Sequence, residues 1–494
     1  MKSKNVLFQP LLITVTVIIL LLISSLIKID LQFWGLQLKP VDILSDLRVN
    51  AYDELYKQYE EDDFFKNEDY EREKKDDSSL LTYPENIQIT NAGFFGSRET
   101  IDLTFMSNVS TETNKDNLYT DSKLQPKFEP ITGNRSELKS LFNALKSAKN
   151  RKVRIAYFGD SIIEGDLITA DFRQILQKEF GGKGAGYLAM TSQDIQFRRS
   201  TKHSFSDNWE VASIFGGNPN KLDVGVSGEV FVPKSSAWVQ YETTQYYKDL
   251  KNFDLVRLFY TNAKSGSVGY SFDGGAKQSE KLKIGEGLKE SSLRPKGTAS
   301  SVRIEIPVAT GANYYGVSLE NGNGVYVDNF PLRGNSGVDI QNIPIGQLKQ
   351  FQKLMDYKLV ILEFGLNALG SLKRGTEWYE KEMIKVINHI KAAFPDCGIL
   401  LIGVHDKSTK KGSEFITDPT VIDLLKAQMN IAKQANIAFW NLNEAMGGIN
   451  SMPKWVTANP PLAHKDYIHF NDQGAKKVAD LLAQAILEEY KRAK

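Results

Sequence analysis

Three hydrophobic periods follow one another along the chain. From Ser136 the spacing of Leu138, Leu141, Phe142 and Leu145 predicts a helix, and Val153-Arg154-Ile155-Ala156-Tyr157-Phe158 after it predicts a strand. The turn Gly159-Asp160-Ser161 then leads to a second helical pattern, Ile168, Phe172, Ile175 and Leu176, closed by Gly181-Gly182. The same alternation returns late. Buried strands are predicted at residues 358–364, 398–404 and 437–440, and helices at 378–394, 421–435 and through Val478, Leu481, Leu482, Ala485 and Ile486. Strands alternating with helices imply an α/β fold whose parallel sheet is covered on both faces.

Between these halves the period falls to two. Val302, Ile304 and Ile306 alternate with Arg303 and Glu305, and Val268, Tyr270 and Phe272 alternate across Gly269 and Ser271. Further strand-like runs cover residues 237–244, 254–260 and 314–319. This predicts an antiparallel β-sandwich inserted in the α/β domain over residues 201–323, which leaves 136–200 and 324–494 as the two parts of that domain.

Residues 5–27 are 23 positions without a charge, between Lys4 and Lys28. As a helix they would reach roughly 34 Å, enough for a hydrocarbon core of about 30 Å. Only Ser24-Ser25 comes near a small-residue cleavage site, so the expectation is an uncleaved transmembrane helix rather than a signal peptide. Lys2 and Lys4 keep the short end cytoplasmic. The chain is therefore expected to be a single-pass inner-membrane protein with its body in the periplasm or outside the cell. Residues 28–84 read as a charged stalk, with 12 acidic and 5 basic residues between Asp53 and Asp77. Residues 85–135 form a lead-in segment without a clear pattern.

Composition narrows the function classes. In 494 residues there are 61 Lys and Arg against 60 Asp and Glu, a formal charge of +1, so the cationic footprint of a nucleic-acid binder is missing. Cys397 is the single cysteine, which excludes an intramolecular disulfide and a thiolate zinc cluster. No His and carboxylate set has convincing metal-ligand spacing, and Gly182 to Gly186 follow a predicted helix instead of opening one, unlike a nucleotide-binding fingerprint. No cofactor is expected.

A serine at the carboxyl end of a buried parallel strand lies where ligands of such folds bind, although Asp and Ser there also serve ordinary turns and helix caps. Asp466-Tyr467-Ile468-His469 spaces a carboxylate and an imidazole so that one loop holds Asp466 against one ring nitrogen while the other faces Ser161. Of the other histidines, His389 fits a helix face, His405 follows a buried strand and is a candidate to line the site, and His464 competes with His469 but has no acid three residues before it.

At these residues the chain resembles the SGNH (GDSL-type) hydrolase superfamily of esterases and acyltransferases. Phe158-Gly159-Asp160-Ser161 is similar to its nucleophile block, Arg333-Gly334-Asn335-Ser336-Gly337 to its glycine block, Gly365-Leu366-Asn367 to its asparagine block, and Asp466 with His469 to its acid and base, all in the family's order. The resemblance implies a flavodoxin-like three-layer fold, with Ser161 as nucleophile, His469 as general base and then acid, and Asp466 as its orienter. It implies an oxyanion hole from the Ser161 and Gly337 backbone N–H groups and the Asn367 amide; Gly337 in a tight turn and Asn367 as a helix cap remain the alternatives. One departure is Ala368, where the family often has Asp, which removes that carboxylate as a support for Asn367.

The inserted β-domain, Gly182-Lys183-Gly184-Ala185-Gly186-Tyr187 and Ala445-Met446-Gly447-Gly448 resemble features of peptidoglycan O-acetylesterases and related envelope O-acetyl enzymes. This implies an envelope-anchored serine esterase acting on O-acetylated carbohydrate, peptidoglycan first. Tyr241, Trp238 and Tyr260 are then candidates to stack on a sugar, or else core residues. The partners implied are a cell-envelope glycan, the membrane, and a membrane-bound acyltransferase as a candidate. An O-acyltransferase using the same triad, and an inactive glycan-binding or scaffolding protein, are the alternatives.

Overall fold

The computed structural model describes residues 128–493 other than 371, 373 and 374, together with two short strands, Leu31–Phe33 and Leu36–Leu38, that pair antiparallel. The expected membrane helix at 5–27 lies outside the described residues, as does most of 28–84 and 85–135. Among the described residues no helix is long and apolar enough to cross a membrane.

The main sheet is built from β1 (Thr132–Gly133), β2 (Lys152–Gly159), β3 (Gly324–Pro331), β4 (Tyr357–Glu363), β5 (Gly398–Ile402) and β6 (Ala438–Trp440), in the order β3-β2-β4-β5-β6-β1. All neighbours are parallel except β1, which runs antiparallel to β6. That edge was not foreseen, because two residues carry no period. The five parallel strands are buried on both faces, which explains their near-continuous apolar sequences.

Alternation along β2 sends Val153, Ile155 and Tyr157 into one core with Leu141 of α1 (Lys139–Leu145), Phe172 and Leu176 of α2 (Thr169–Phe180) and Leu482 and Ile486 of the last helix. On the other face, Tyr357 meets Phe394, which follows α4 (Glu377–Ala393); α4 packs between α3 (Ile345–Met355) and α5 (Pro419–Gln434). Local chemistry sets the helix starts. Asp418 accepts from Thr420 N ahead of Pro419 at the first turn of α5, and Asn471 accepts from Gln473 N and Gly474 N at the start of α6 (Asp472–Arg492).

Between β2 and β3, two antiparallel sheets face each other across a core of Val239, Tyr241, Val302 and Ile304 from one and Val256, Leu258, Tyr314 and Val317 from the other. Its strands start earlier than residue 201: Lys183–Ala189 pairs antiparallel with Asn313–Asn321. The segment gave no strand signal because it is rich in glycine, and the packing requires it. Gly184 has φ +100°, and a Cβ there would sit 2.5 Å from Leu319 O.

Charge joins the two parts. Arg154 of β2 is buried and donates to Asp328 Oδ2 of β3 at 2.8 Å, to Ser318 Oγ at 3.1 Å and to Glu320 of the antiparallel sheet. Asp328 also accepts from Tyr187 N at 2.9 Å and Tyr357 Oη at 2.9 Å, while Glu320 is held by Lys152 and Arg257. Burial alone disfavours the Glu320 carboxylate, but these cations hold it down to about 2.

Candidate active site

Strand register brings the separated motifs to one place. Gly159 at the end of β2 lies opposite Pro331 of β3 on one side and Glu363 of β4 on the other. The chain leaves these three neighbours at the same level, so Asp160 and Ser161, the segment 333–337 and the segment 365–367 emerge together at the carboxyl edge of the sheet.

Ser161 opens a 3₁₀ turn, Ser161–Asp166, that Asp160 caps by accepting from Ile162 N at 3.0 Å. Behind this turn Arg173 of α2 grips Asp166 with two hydrogen bonds, 2.7 and 2.9 Å, and Asp194 accepts from Gly165 N at 3.0 Å and from Arg198. Burial opposes charge on Asp166 and Asp194, yet the arginines keep both carboxyls below their ordinary range. Arg333 reaches Glu164 Oε2 at 3.2 Å. The serine turn is thus fixed by ion pairs on its inner side.

Residues 466–469 meet it from the far end of the chain. Asp466 Oδ1 accepts from the N–H groups of Ile468 and His469, at 2.9 and 3.0 Å, and its Oδ2 lies 2.7 Å from His469 Nδ1. Because a carboxylate only accepts, Nδ1 carries the proton and Nε2 is left as an acceptor. That Nε2 is 3.3 Å from Ser161 Oγ. The side chain of Asp466 is 3% exposed and that of His469 15%, so the acid is enclosed while the imidazole stays reachable. Burial pushes the Asp466 carboxyl up, but the His469 ring and the two backbone donors outweigh it and hold it below the ordinary range.

His405 is buried and stands behind this loop. Its Nε2 donates to Ile468 O at 3.0 Å and its ring packs against Phe470, and burial lowers its basicity to about 4, so it is a neutral strut. His464 lies outside the relay, its N–H donating to His469 O at 2.9 Å. His389 donates to Ile343 O, and His203 stacks on Tyr241 in the sandwich core.

The expected oxyanion donors are close but engaged. Gly337 N donates to Asn335 Oδ1 at 2.7 Å, and Asn367 Nδ2 donates to Asp160 Oδ2 at 3.0 Å and to Asn335 O at 3.1 Å. Gly337 is required by conformation, with φ +94° and a Cβ position 2.9 Å from Phe364. The support that Ala368 cannot give Asn367 comes instead from Asp160, the acid of the serine block.

Two features were not singled out from sequence. Asp160 is buried, which drives its carboxyl up to about 6 against the hydrogen bond from Ile162 N and the attraction of His469. Beneath it, Glu363 is buried with Tyr157 Oη donating to it at 2.7 Å, and burial pushes it up to about 8, so it is protonated at neutral pH. Only the position of Glu363 at the end of an apolar strand hinted at this. Two of the expected sugar-stacking aromatics are corrected: Tyr241 and Tyr260 are fully buried because they fall on the inward positions of their strands, whereas Trp238 is half-buried with the Arg303 guanidinium 3.8 Å from its ring centroid.

The sequence matches no protein-family model and no curated protein. Among solved structures, a peptidoglycan O-acetylesterase is similar at 21% identity and a TM-score of 0.60, over 73% of this chain and 99% of that one. A salicylyl-acyltransferase from a tetracycline biosynthetic pathway is 11% identical over 61% of this chain and 97% of that one, with a TM-score of 0.29. A family two carbohydrate esterase from Cellvibrio japonicus is 8% identical over 60% and 100%, with a TM-score of 0.24. The first likeness establishes the fold, a mixed α/β architecture with a parallel sheet.

Proposed function

We propose that the protein is an envelope-anchored serine esterase that removes O-acetyl groups from carbohydrate, with peptidoglycan as the polymer. The observation that carries this reading is the relay from Asp466 through His469 to Ser161, 2.7 and 3.3 Å long, at the carboxyl edge of the sheet. The shared fold with a peptidoglycan O-acetylesterase supports the choice of substrate, and the uncharged run at 5–27 supports the anchor and an extracytoplasmic body.

In this mechanism His469 Nε2 takes the Ser161 proton as Oγ attacks the acetyl carbonyl, and returns it to the departing sugar oxygen. An acetyl-serine remains. Water then attacks that ester, giving its proton to His469, which passes it to Ser161 as acetate leaves. Asp466 keeps the tautomer and stabilises the imidazolium in both halves. The oxyanion of each tetrahedral intermediate would be held by Gly337 N–H, Ser161 N–H and the Asn367 amide.

The test is to incubate the full-length protein with O-acetylated peptidoglycan and measure released acetate by mass spectrometry. Release that disappears in Ser161→Ala is expected. No release from a folded protein that still reacts with a fluorophosphonate would overturn the peptidoglycan assignment, and acetyl groups appearing on an added sugar instead of in acetate would make it a transferase.

A further inference from the structure

An exposed aromatic side chain of the sandwich is tied to both segments that build the candidate site. Tyr246 is 60% exposed, whereas its neighbour Tyr247 is buried against Ala170 and Leu250 and donates to Asp171 Oδ2 of α2 at 3.1 Å. The loop is therefore anchored on the helix that follows the serine turn. Arg199 fixes the other side. It donates to Tyr246 Oη at 2.9 Å, its guanidinium lies 5.0 Å from the Tyr246 ring centroid, and it pairs with Asp472, three residues after His469. Its backbone carbonyl accepts from Thr244 Oγ1 at 2.6 Å, and the preceding Arg198 holds Asp194 behind the serine turn.

Tyr246 thus stands on a bridge between the segment that carries Ser161 and the segment that carries His469. We propose that Tyr246, held on Arg199, is a stacking subsite for a pyranose ring of the glycan that bears the ester. This rests on the glycan-esterase reading and adds the subsite to it. A tyrosine combines an apolar face, suited to the C–H face of a sugar, with a polar edge. Here the ring is pinned before the ligand arrives, so little side-chain freedom is lost on binding. Arg199 and Asp472 supply polar groups for hydroxyls beside it. The core aromatics Tyr241 and Tyr260 offer no such surface.

Two measurements on the full-length protein test this. The first compares kcat/KM for soluble O-acetylated glycan strands and for a small aryl acetate in wild type, Tyr246→Ala and Tyr246→Phe. The alanine variant should lose about tenfold on the strands and several times less on the aryl acetate, while phenylalanine should retain most of the polymer activity. Equal losses on both substrates would overturn the subsite. The second uses Ser161→Ala and titrates deacetylated peptidoglycan strands by calorimetry, with and without Tyr246→Ala, so it needs no turnover. A Kd raised about tenfold supports the subsite even if wild type releases no acetate, and an unchanged Kd rejects it even if wild type is an active esterase.

Discussion

The Gly337 N–H donates to Asn335 Oδ1 at 2.7 Å, so a group expected to hold the oxyanion rests on a neutral amide oxygen. An anionic oxygen is the stronger acceptor, so the developing charge competes for such donors. Asn367 is also engaged at rest, its amide shared between the Asp160 carboxyl and the Asn335 carbonyl. Asn367→Ala should therefore lower kcat by about 10²–10³ with little change in KM. Steady-state kinetics on an aryl acetate would check this, and an effect confined to KM would place Asn367 outside the oxyanion hole.

Nucleophile and base can be separated from their surroundings by covalent labelling. A fluorophosphonate should modify Ser161, and both Ser161→Ala and His469→Ala should lose labelling and turnover. His464→Ala, which removes a side chain outside the relay, should keep both within a few-fold. The reverse ranking of the two histidines would move the base.

Asp466→Asn leaves the loop nearly isosteric but replaces the acceptor that fixes the His469 tautomer. The expected loss in kcat is about 10⁴. Because the carboxyl is held below its ordinary range in the wild type, Asp466 is ionised throughout neutral pH, and the asparagine variant should remain impaired from pH 6 to 9.

Glu363 makes a pH prediction about stability. Its carboxyl is pushed by burial from an ordinary 4.5 up to about 8, so the folded state binds a proton that the unfolded state has lost between those values. Stability from this group is fully present below 4.5 and is lost as pH rises through 8. Asp160, raised to about 6, adds the same trend lower down, and Glu229, which burial likewise pushes up to about 8, adds it over the same interval as Glu363, so the Glu363 share is the difference between wild type and variant. In thermal unfolding, the wild type should lose more between pH 6 and 9 than Glu363→Gln, whose side chain does not titrate. Equal losses would mean that Glu363 is ionised in the folded protein.

Asp328 accepts from Arg154, Tyr187 N and Tyr357 in a buried site. Asp328→Ala leaves the Arg154 charge short of a partner and should cost about 3–5 kcal/mol, measured by urea unfolding. A cost near zero would show that Glu320 alone compensates Arg154.

What could be read in the sequence follows from what leaves a local trace. Apolar strands such as Lys152–Gly159 and Tyr357–Glu363 announce themselves by composition, and residues 466–469 carry their acid and base in one short loop, so both were legible. Lys183–Ala189 was missed because its pairing is set by glycine contacts with a strand far along the chain. Inward and outward aromatics of the sandwich could not be told apart without register, which is why Tyr241 and Tyr260 were candidates and Tyr246 was not. Donor competition at Gly337 depends on where the Asn335 side chain turns, and no spacing reveals that.

The pairing of Lys183–Ala189 with Asn313–Asn321 also bears on the order of folding. Strands β2 and β3 are hydrogen-bonded neighbours in the parallel sheet, yet residues 160–323 lie between them. Closing so long a loop is an entropic cost that grows by about 0.6 kcal/mol with each doubling of length. Once the sandwich has formed, its first and last strands are already zipped together, and Val325 N donates to Gly181 O at 2.8 Å just beyond them. The effective loop that remains is little more than α2 and the serine turn. The insert thus works as an internal clasp that delivers β3 to β2, and truncations within it should slow assembly of the parallel sheet before they affect any ligand.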